Sequence, residues 1–389
     1  MKKILISLFT IIIVIGGGLY LSKLKSLELE PVPEKNTEET KNIVVDETEA
    51  RKLIGQMLIV GFRGTIAEKN SYIVRTINNL NIGGIILFDY DVPMGTKGRN
   101  IVNPEQTKNL VSDIVSNTTS SLLVSVDAEG GKVNRLKPAY GFADIPSHET
   151  LGKGTEEKTY AAAKKLGQEL SELGINFDFA PVADVNVNPE NPVIGKLGRS
   201  FGSDANIVSL HATAFIQGLH ASGILTSIKH FPGHGSSATD SHLGMVDITD
   251  SYKTKELDPF RTLVKNGLAD TVMVAHVFDR NIDPDYPASL SEKFIHGVLR
   301  NDLGFAGVII SDDMDMGAIR KNYGFEEAIA KAVRAGNDIL ILSNNGEIYD
   351  ESTPKRAIDA IWNAVQSGDI PLSDIRASVE RIGVLKEKI

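Results

Sequence analysis

The chain has no cysteine. Disulfides, thiolate metal sites, a cysteine nucleophile and lipidation through an N-terminal cysteine are therefore excluded. It has no basic block and no interleaving of aromatic with basic residues, and its net charge is −9. Nucleic acid is accordingly not an expected partner. No Gly-x-Gly-x-x-Gly turn follows an apolar run, which argues against the nucleotide-binding form of an open, doubly wound sheet. No Ala-x-Ala cleavage signal follows the apolar N-terminus either.

That N-terminus reads Met1-Lys2-Lys3 and then an uncharged apolar run from Ile4 to Leu21. As a helix the run would span roughly 27 Å, close to the hydrocarbon thickness. It is longer than an ordinary signal core, so an uncleaved membrane anchor is expected, with a cleaved, secreted form as the alternative. The catalytic part would then lie outside the cell membrane. The following stretch is polar, carries Pro31 and Pro33, and reads as a solvated tether. The expected organisation is 1–22 anchor, 23–46 linker and 47–389 one catalytic domain.

The 389 residues are 42% hydrophobic, enough for a large core. After Asp46 short apolar runs recur at Met57–Phe62, Ile85–Phe88, Leu122–Val126, Phe177–Val182, Ile224–Ile228, Thr271–Ala275, Val308–Ile310 and Ile339–Leu342. Between them lie stretches with helical spacing, among them Glu157–Leu173, Ile207–Ala221, Asp258–Gly267, Ser291–Asp302 and Phe325–Ala335. Strand and helix alternating eight times predicts a single parallel (β/α)8 TIM-type barrel of the α/β class. Polar residues gather where the strands end: Asp127, Asp184, Lys229-His230, His276, Ser311-Asp312 and Ser343-Asn344. Barrel enzymes build their sites at those ends.

Two segments carry the chemistry. Asp312 closes the run Gly307–Ser311, so its carboxylate would be held rigidly at the cavity mouth, as a nucleophile requires. Asp313 and Asp315 follow at once and read as caps of the next helix. In Asp240-Ser241-His242 a carboxylate two residues before an imidazole can fix the ring's tautomer and raise the basicity of its other nitrogen. A histidine so held can protonate a leaving oxygen and then deprotonate a water. Zinc on His230, His234, Asp240 and His242 is disfavoured, because Pro232-Gly233 interrupts the His-x3-His spacing. Lys229 and His230 read as donors to sugar hydroxyls or a carbonyl oxygen, and His234 as a brace for its loop. In Asp127–Arg135 the glycines Gly130-Gly131 permit a tight turn, Asp127 can grip hydroxyls and Arg135 offers a fork of donors.

Lys229–Gly235 with Asp240-Ser241-His242, Asp127–Leu136, Gly198–Gly202 and Ser311–Met316 stand in the order found in glycoside hydrolase family 3. Together they resemble its bacterial β-N-acetylglucosaminidase subgroup. The resemblance implies a retaining β-hexosaminidase needing no metal or cofactor, with Asp312 as nucleophile and His242 as acid/base partnered by Asp240. It implies sugar binding by Asp127, Arg135, Arg199, Lys229 and His230. The implied substrate is a glycan or muropeptide with terminal N-acetylglucosamine, and a monomer is expected. Ala128, Lys132 and Ser236-Ser237 depart from the usual Gln, Arg and Asp-Thr, which bears on affinity rather than on the reaction. The second domain of larger members is not expected. Phosphorolysis at the same site and a non-catalytic glycan-binding role are the alternatives.

Overall fold

The computed structural model describes residues 46–389, and the expected anchor and most of the tether lie outside them. Eight parallel strands close into one barrel. They are β1 (Leu58–Gly61), β2 (Gly84–Leu87), β3 (Leu123–Val126), β4 (Phe177–Asp178), β5 (Leu225–Phe231), β6 (Thr271–Val274), β7 (Val308–Asp313) and β8 (Ile339–Leu342). Each pairs with its sequence neighbours, and β1 closes on β8 through Leu58 opposite Leu340 and Val60 opposite Leu342. All eight expected apolar runs supply these strands.

The strands form because short, mostly β-branched and aliphatic runs are buried on both faces. Every residue of β1, β2, β3, β5 and β8 is buried. Each fully buried aliphatic side chain contributes roughly 1.5–3 kcal/mol relative to an exposed one. Two strands are longer than the sequence suggests, β5 reaching Phe231 and β7 Asp313. Others are shorter, most of all β4, which stops at Asp178, three residues before Pro181 with its missing N–H. Only a bridge between Val182 and Lys229 prolongs it.

Helices wrap the outside, and some of them start on side-chain caps. Asn103 accepts from the Gln106 amide at 2.9 Å with Pro104 in the first turn, and Asp204 accepts from that of Asn206 at 2.8 Å. The first described helix, Glu47–Gln56, is fixed to the last two, Thr353–Ser367 and Leu372–Lys386. Arg51 meets Asp359 at 2.6 Å, and Arg376 meets Glu49 at 3.1 Å. Among the described residues no helix is long and apolar enough to cross a membrane.

Candidate active site

One cavity of about 550 Å³ opens at the C-terminal ends of the strands. Asp127, Arg135, Arg199, Lys229, His230, Asp240, His242 and Asp312 all line it. The strand ends thus bring together every residue singled out for chemistry or binding.

The β3 and β5 ends form a buried ionic grip. The Lys229 side chain is 2% exposed, and its ammonium lies 2.8 Å from Asp127 Oδ1 and 2.7 Å from Glu129 Oε1. Arg199 makes a two-pronged bond to Glu129, Nε to Oε2 at 2.8 Å and Nη2 to Oε1 at 2.7 Å, and donates to the Val193 carbonyl at 2.9 Å. Burial would raise the pKa of Glu129, but Arg199 and Lys229 outweigh it and hold the carboxyl far below its usual range. Burial acts the same way on Asp127, and Lys229 and Arg135 again prevail. Glu129 was not apparent as a site residue in the sequence. The visible signal was a second carboxylate between Asp127 and the turn glycines. Its partners Arg199 and Lys229 are remote in sequence, and folding alone unites them.

The turn after Glu129 needs its glycines. Gly130 and Gly131 have φ of +84° and +61°, and a Cβ on Gly130 would come within 2.5 Å of the Pro146 carbonyl oxygen. Arg135 follows from the short returning strand. Its contacts are loose, 3.6 Å to Asp127 and 3.9 Å to Asp89, and its Nε has no partner. Arg135 therefore has donors to offer a ligand.

His230 differs from expectation. Its Nδ1 lies 2.6 Å from Asp184 Oδ2, and Arg199 donates to its Nε2 at 3.1 Å. With Nδ1–H given to Asp184 and Nε2 accepting, the ring has no free donor for a sugar hydroxyl, and it serves to orient Arg199. Asp184 also accepts from the amide of His234 at 2.7 Å, so one carboxylate ties the start of the loop after β5. His234 braces that loop as anticipated: its Nδ1 meets Ser237 at 2.7 Å and its Nε2 meets Ser241 at 3.1 Å. Burial lowers its pKa to about 4, so the ring is neutral. Both imidazoles are thus occupied, and among the described residues no group of three or more His, Cys, Asp or Glu is arranged to hold a metal ion.

On the far side, Asp312 sits in β7 and accepts from the Asp313 amide at 2.8 Å. Burial acts to raise its pKa, and the surrounding imidazoles of His276, His230 and His242 act more strongly to lower it. The carboxylate is ionised at neutral pH, as an attacking group must be. His276, at the end of β6, lies 2.9 Å from the Asp313 carbonyl through Nε2 and 2.6 Å from Ser289 Oγ through Nδ1, which fixes the backbone beside Asp312. Asp313 and Asp315 do not cap a helix. Their carboxylates accept from the amides of Ser343 at 3.1 Å and Asn344 at 2.8 Å and so brace the end of β8.

His242 belongs to the loop after β5. Its Nδ1 is 2.8 Å from Asp240 Oδ1, and the same oxygen accepts from the His242 amide at 2.8 Å. With Nδ1 engaged, Nε2 remains for proton transfer. The imidazole is 62% exposed, unlike the buried grip.

Comparison with known proteins places this architecture. The family described as Glycosyl hydrolase family 3 N terminal domain matches residues 49–385. The chain is 33% identical over 345 residues to Beta-hexosaminidase LpqI of Mycobacterium tuberculosis, covering 86% of this chain and 82% of that one. It is 36% identical to a Beta-hexosaminidase of Neisseria meningitidis, covering 75% and 78%. Among solved structures, a glycoside hydrolase family 3 beta-N-acetylglucosaminidase from Paenibacillus superposes with a TM-score of 0.78 at 36% identity. That match covers 87% of this chain and 62% of the Paenibacillus chain. A Beta-N-acetylhexosaminidase from Beutenbergia cavernae superposes with a TM-score of 0.76 at 29% identity, covering 87% and 98%.

Proposed function

The chain belongs to glycosyl hydrolase family 3, and on that premise we propose that it is a retaining exo-β-N-acetylglucosaminidase removing terminal N-acetylglucosamine from cell-wall fragments or other glycans. The names of its relatives support the activity. The observation that carries the reading is that Asp312 and the Asp240–His242 pair line the same cavity as Asp127, Arg199 and Lys229, the last two of which Glu129 ties together from behind.

In this reading the grip and Arg135 hold the hydroxyls and acetamido group of the terminal sugar. An ionised Asp312 oxygen attacks the anomeric carbon while the bond to the leaving oxygen breaks, and His242 gives its Nε2 proton to that oxygen. Asp240 stabilises the imidazolium and fixes its tautomer. The aglycone departs and leaves a glycosyl ester on Asp312. His242 then takes a proton from water, whose oxygen attacks the same carbon and releases Asp312. Two inversions return the sugar with its β configuration.

An N-terminal anchor that holds the enzyme outside the membrane is part of the proposal, supported by the uncharged run Ile4–Leu21. Release of nitrophenol from its β-N-acetylglucosaminide tests the activity. The product distinguishes the close rival: sugar 1-phosphate formed only in phosphate buffer would mean phosphorolysis, and free N-acetylglucosamine in its absence means hydrolysis. Binding of N-acetylglucosamine oligomers with no turnover would point to a non-catalytic role.

A further inference from the structure

The cavity is chemically two-sided. All four of its lining cations, Lys132, Arg135, Arg199 and Lys229, come from the segments after β3 and β4 and from β5. The arc formed by the segments after β7, β8 and β2 contributes Met316, Asn345, Val92 and Tyr90, and no lining cation. This arc is built rather than incidental. Asn345 donates to the Tyr90 carbonyl at 3.0 Å and accepts from the Val92 amide at 2.9 Å and from Arg99 at 3.1 Å. Its one amide therefore fixes the hairpin of Tyr90–Asp91 and Thr96–Lys97 against the end of β8. The hairpin then presents Tyr90, Val92 and Met94 to solvent at 39, 53 and 61% exposure. Buried Arg99 and half-buried Arg63 behind it are both paired to Asp91.

The arc also begins beside the acid/base. The Gly317 amide donates to the His242 carbonyl at 3.2 Å and that of Ala318 to the Ser241 carbonyl at 3.0 Å, so Met316 adjoins the His242 loop. The group protonated by His242 is the leaving oxygen, so the aglycone must start at this loop.

We propose that the arc of Met316, Asn345, Val92 and Tyr90 is the aglycone site, and that it selects an uncharged sugar with an apolar ring face, such as a second N-acetylhexosamine, over a carboxylate-bearing one. The assignment rests on the hydrolase reading above. A pyranose offers a C–H face that lies against an aromatic ring, and an acidic aglycone would find no lining cation on this side to balance its desolvation.

The test uses the full chain with three substrates. They are N-acetylglucosaminyl fluoride, diacetylchitobiose, and the disaccharide in which N-acetylmuramic acid replaces the second sugar. The expected wild-type kcat/KM for diacetylchitobiose exceeds that for the acidic disaccharide by about tenfold, a modest cost for partly desolvating the lactyl carboxylate with no cation beside it. Tyr90→Ala is expected to lower kcat/KM for diacetylchitobiose about tenfold more than for the fluoride, whose leaving group fills no aglycone space. Val92→Ser should do the same more weakly, and it serves as the readout if Tyr90→Ala does not fold. A wild-type preference for the acidic disaccharide, or equal losses on fluoride and disaccharide, would overturn the aglycone assignment while leaving the hydrolase intact. A wild type that leaves the fluoride unreacted would overturn the hydrolase reading itself, and this assignment with it.

Discussion

The backbone amide of Gly317 donates to the backbone carbonyl of His242, 3.2 Å away. Through that bond the segment that follows the proposed nucleophile holds the loop that carries the proposed acid/base. A Cβ on Gly317 would lie 2.5 Å from the same carbonyl oxygen. Gly317→Ala should therefore displace His242 without touching a reacting atom. The expected result is a loss of about tenfold or more in kcat/KM, since small misplacements of catalytic groups are expensive in rate, with the melting temperature little changed. Unchanged kinetics would show that the loop is positioned by other means.

Asp312→Ala removes the proposed nucleophile. The fall in kcat should be about 10⁴-fold or more, comparable to the loss of a nucleophile in other covalent enzymes. Steady-state rates on the nitrophenyl glycoside give the answer, and a rate equal to wild type would end the assignment.

Asp240→Asn keeps the shape but removes the charge facing His242 Nδ1. A fall in kcat of about 10²-fold is expected, within the range that acid/base catalysis contributes. Steady-state rates on the nitrophenyl glycoside check it, and a kcat equal to wild type would contradict the dyad.

Glu129→Gln leaves Arg199 and Lys229 buried with one carboxylate fewer. Breaking a buried pair on one side destabilises by about 3–5 kcal/mol. The variant should melt earlier and show a raised KM, whereas a solvated ion pair would contribute about 0–1 kcal/mol. Urea unfolding together with KM measures both.

His148 is buried, stacks on Phe201 with ring centroids 4.1 Å apart, and lies 3.0 Å from the Arg199 carbonyl through Nδ1. Burial lowers its pKa from 6.5 to about 4. Above pH 6.5 the ring is neutral in both folded and unfolded chains, so its contribution is fully present. Between 6.5 and 4 the unfolded chain takes up a proton that the folded one refuses, and stability falls by about 1.4 kcal/mol per pH unit. Asp313, raised by burial and by Asp315, works in the opposite direction over part of this window. The clean measurement is therefore a difference. His148→Asn should show a pH dependence of unfolding free energy shallower than wild type by about that slope between pH 6.5 and 4. Parallel curves would refute a neutral buried His148.

The barrel was legible because each strand is a short apolar run buried on both faces, and such runs announce themselves one by one. Asp312, Asp240 and His242 could be singled out because Asp312 ends an apolar run and Asp240 stands two residues before His242, and the fold brings all three to one cavity. Glu129 and the occupied state of His230 were not legible. They depend on partners far off in sequence: Arg199 is 70 residues from Glu129, and Asp184 is 46 from His230. No local period encodes such pairs. The readings of Asp313 and Asp315 as caps failed for a related reason, since their acceptors found the amides of Ser343 and Asn344 just beyond β8 rather than those of a following helix.

Because Lys229 lies within β5 while His242 hangs on the loop beyond it, the proposed sugar capture and the proposed proton delivery have unequal mechanical support. An inhibitor shaped only like the terminal sugar would be gripped by the sheet whether or not the loop is in place. One that reaches across to His242 would sense every displacement of that loop, and the ratio of the two affinities would report how often the catalytic arrangement is assembled.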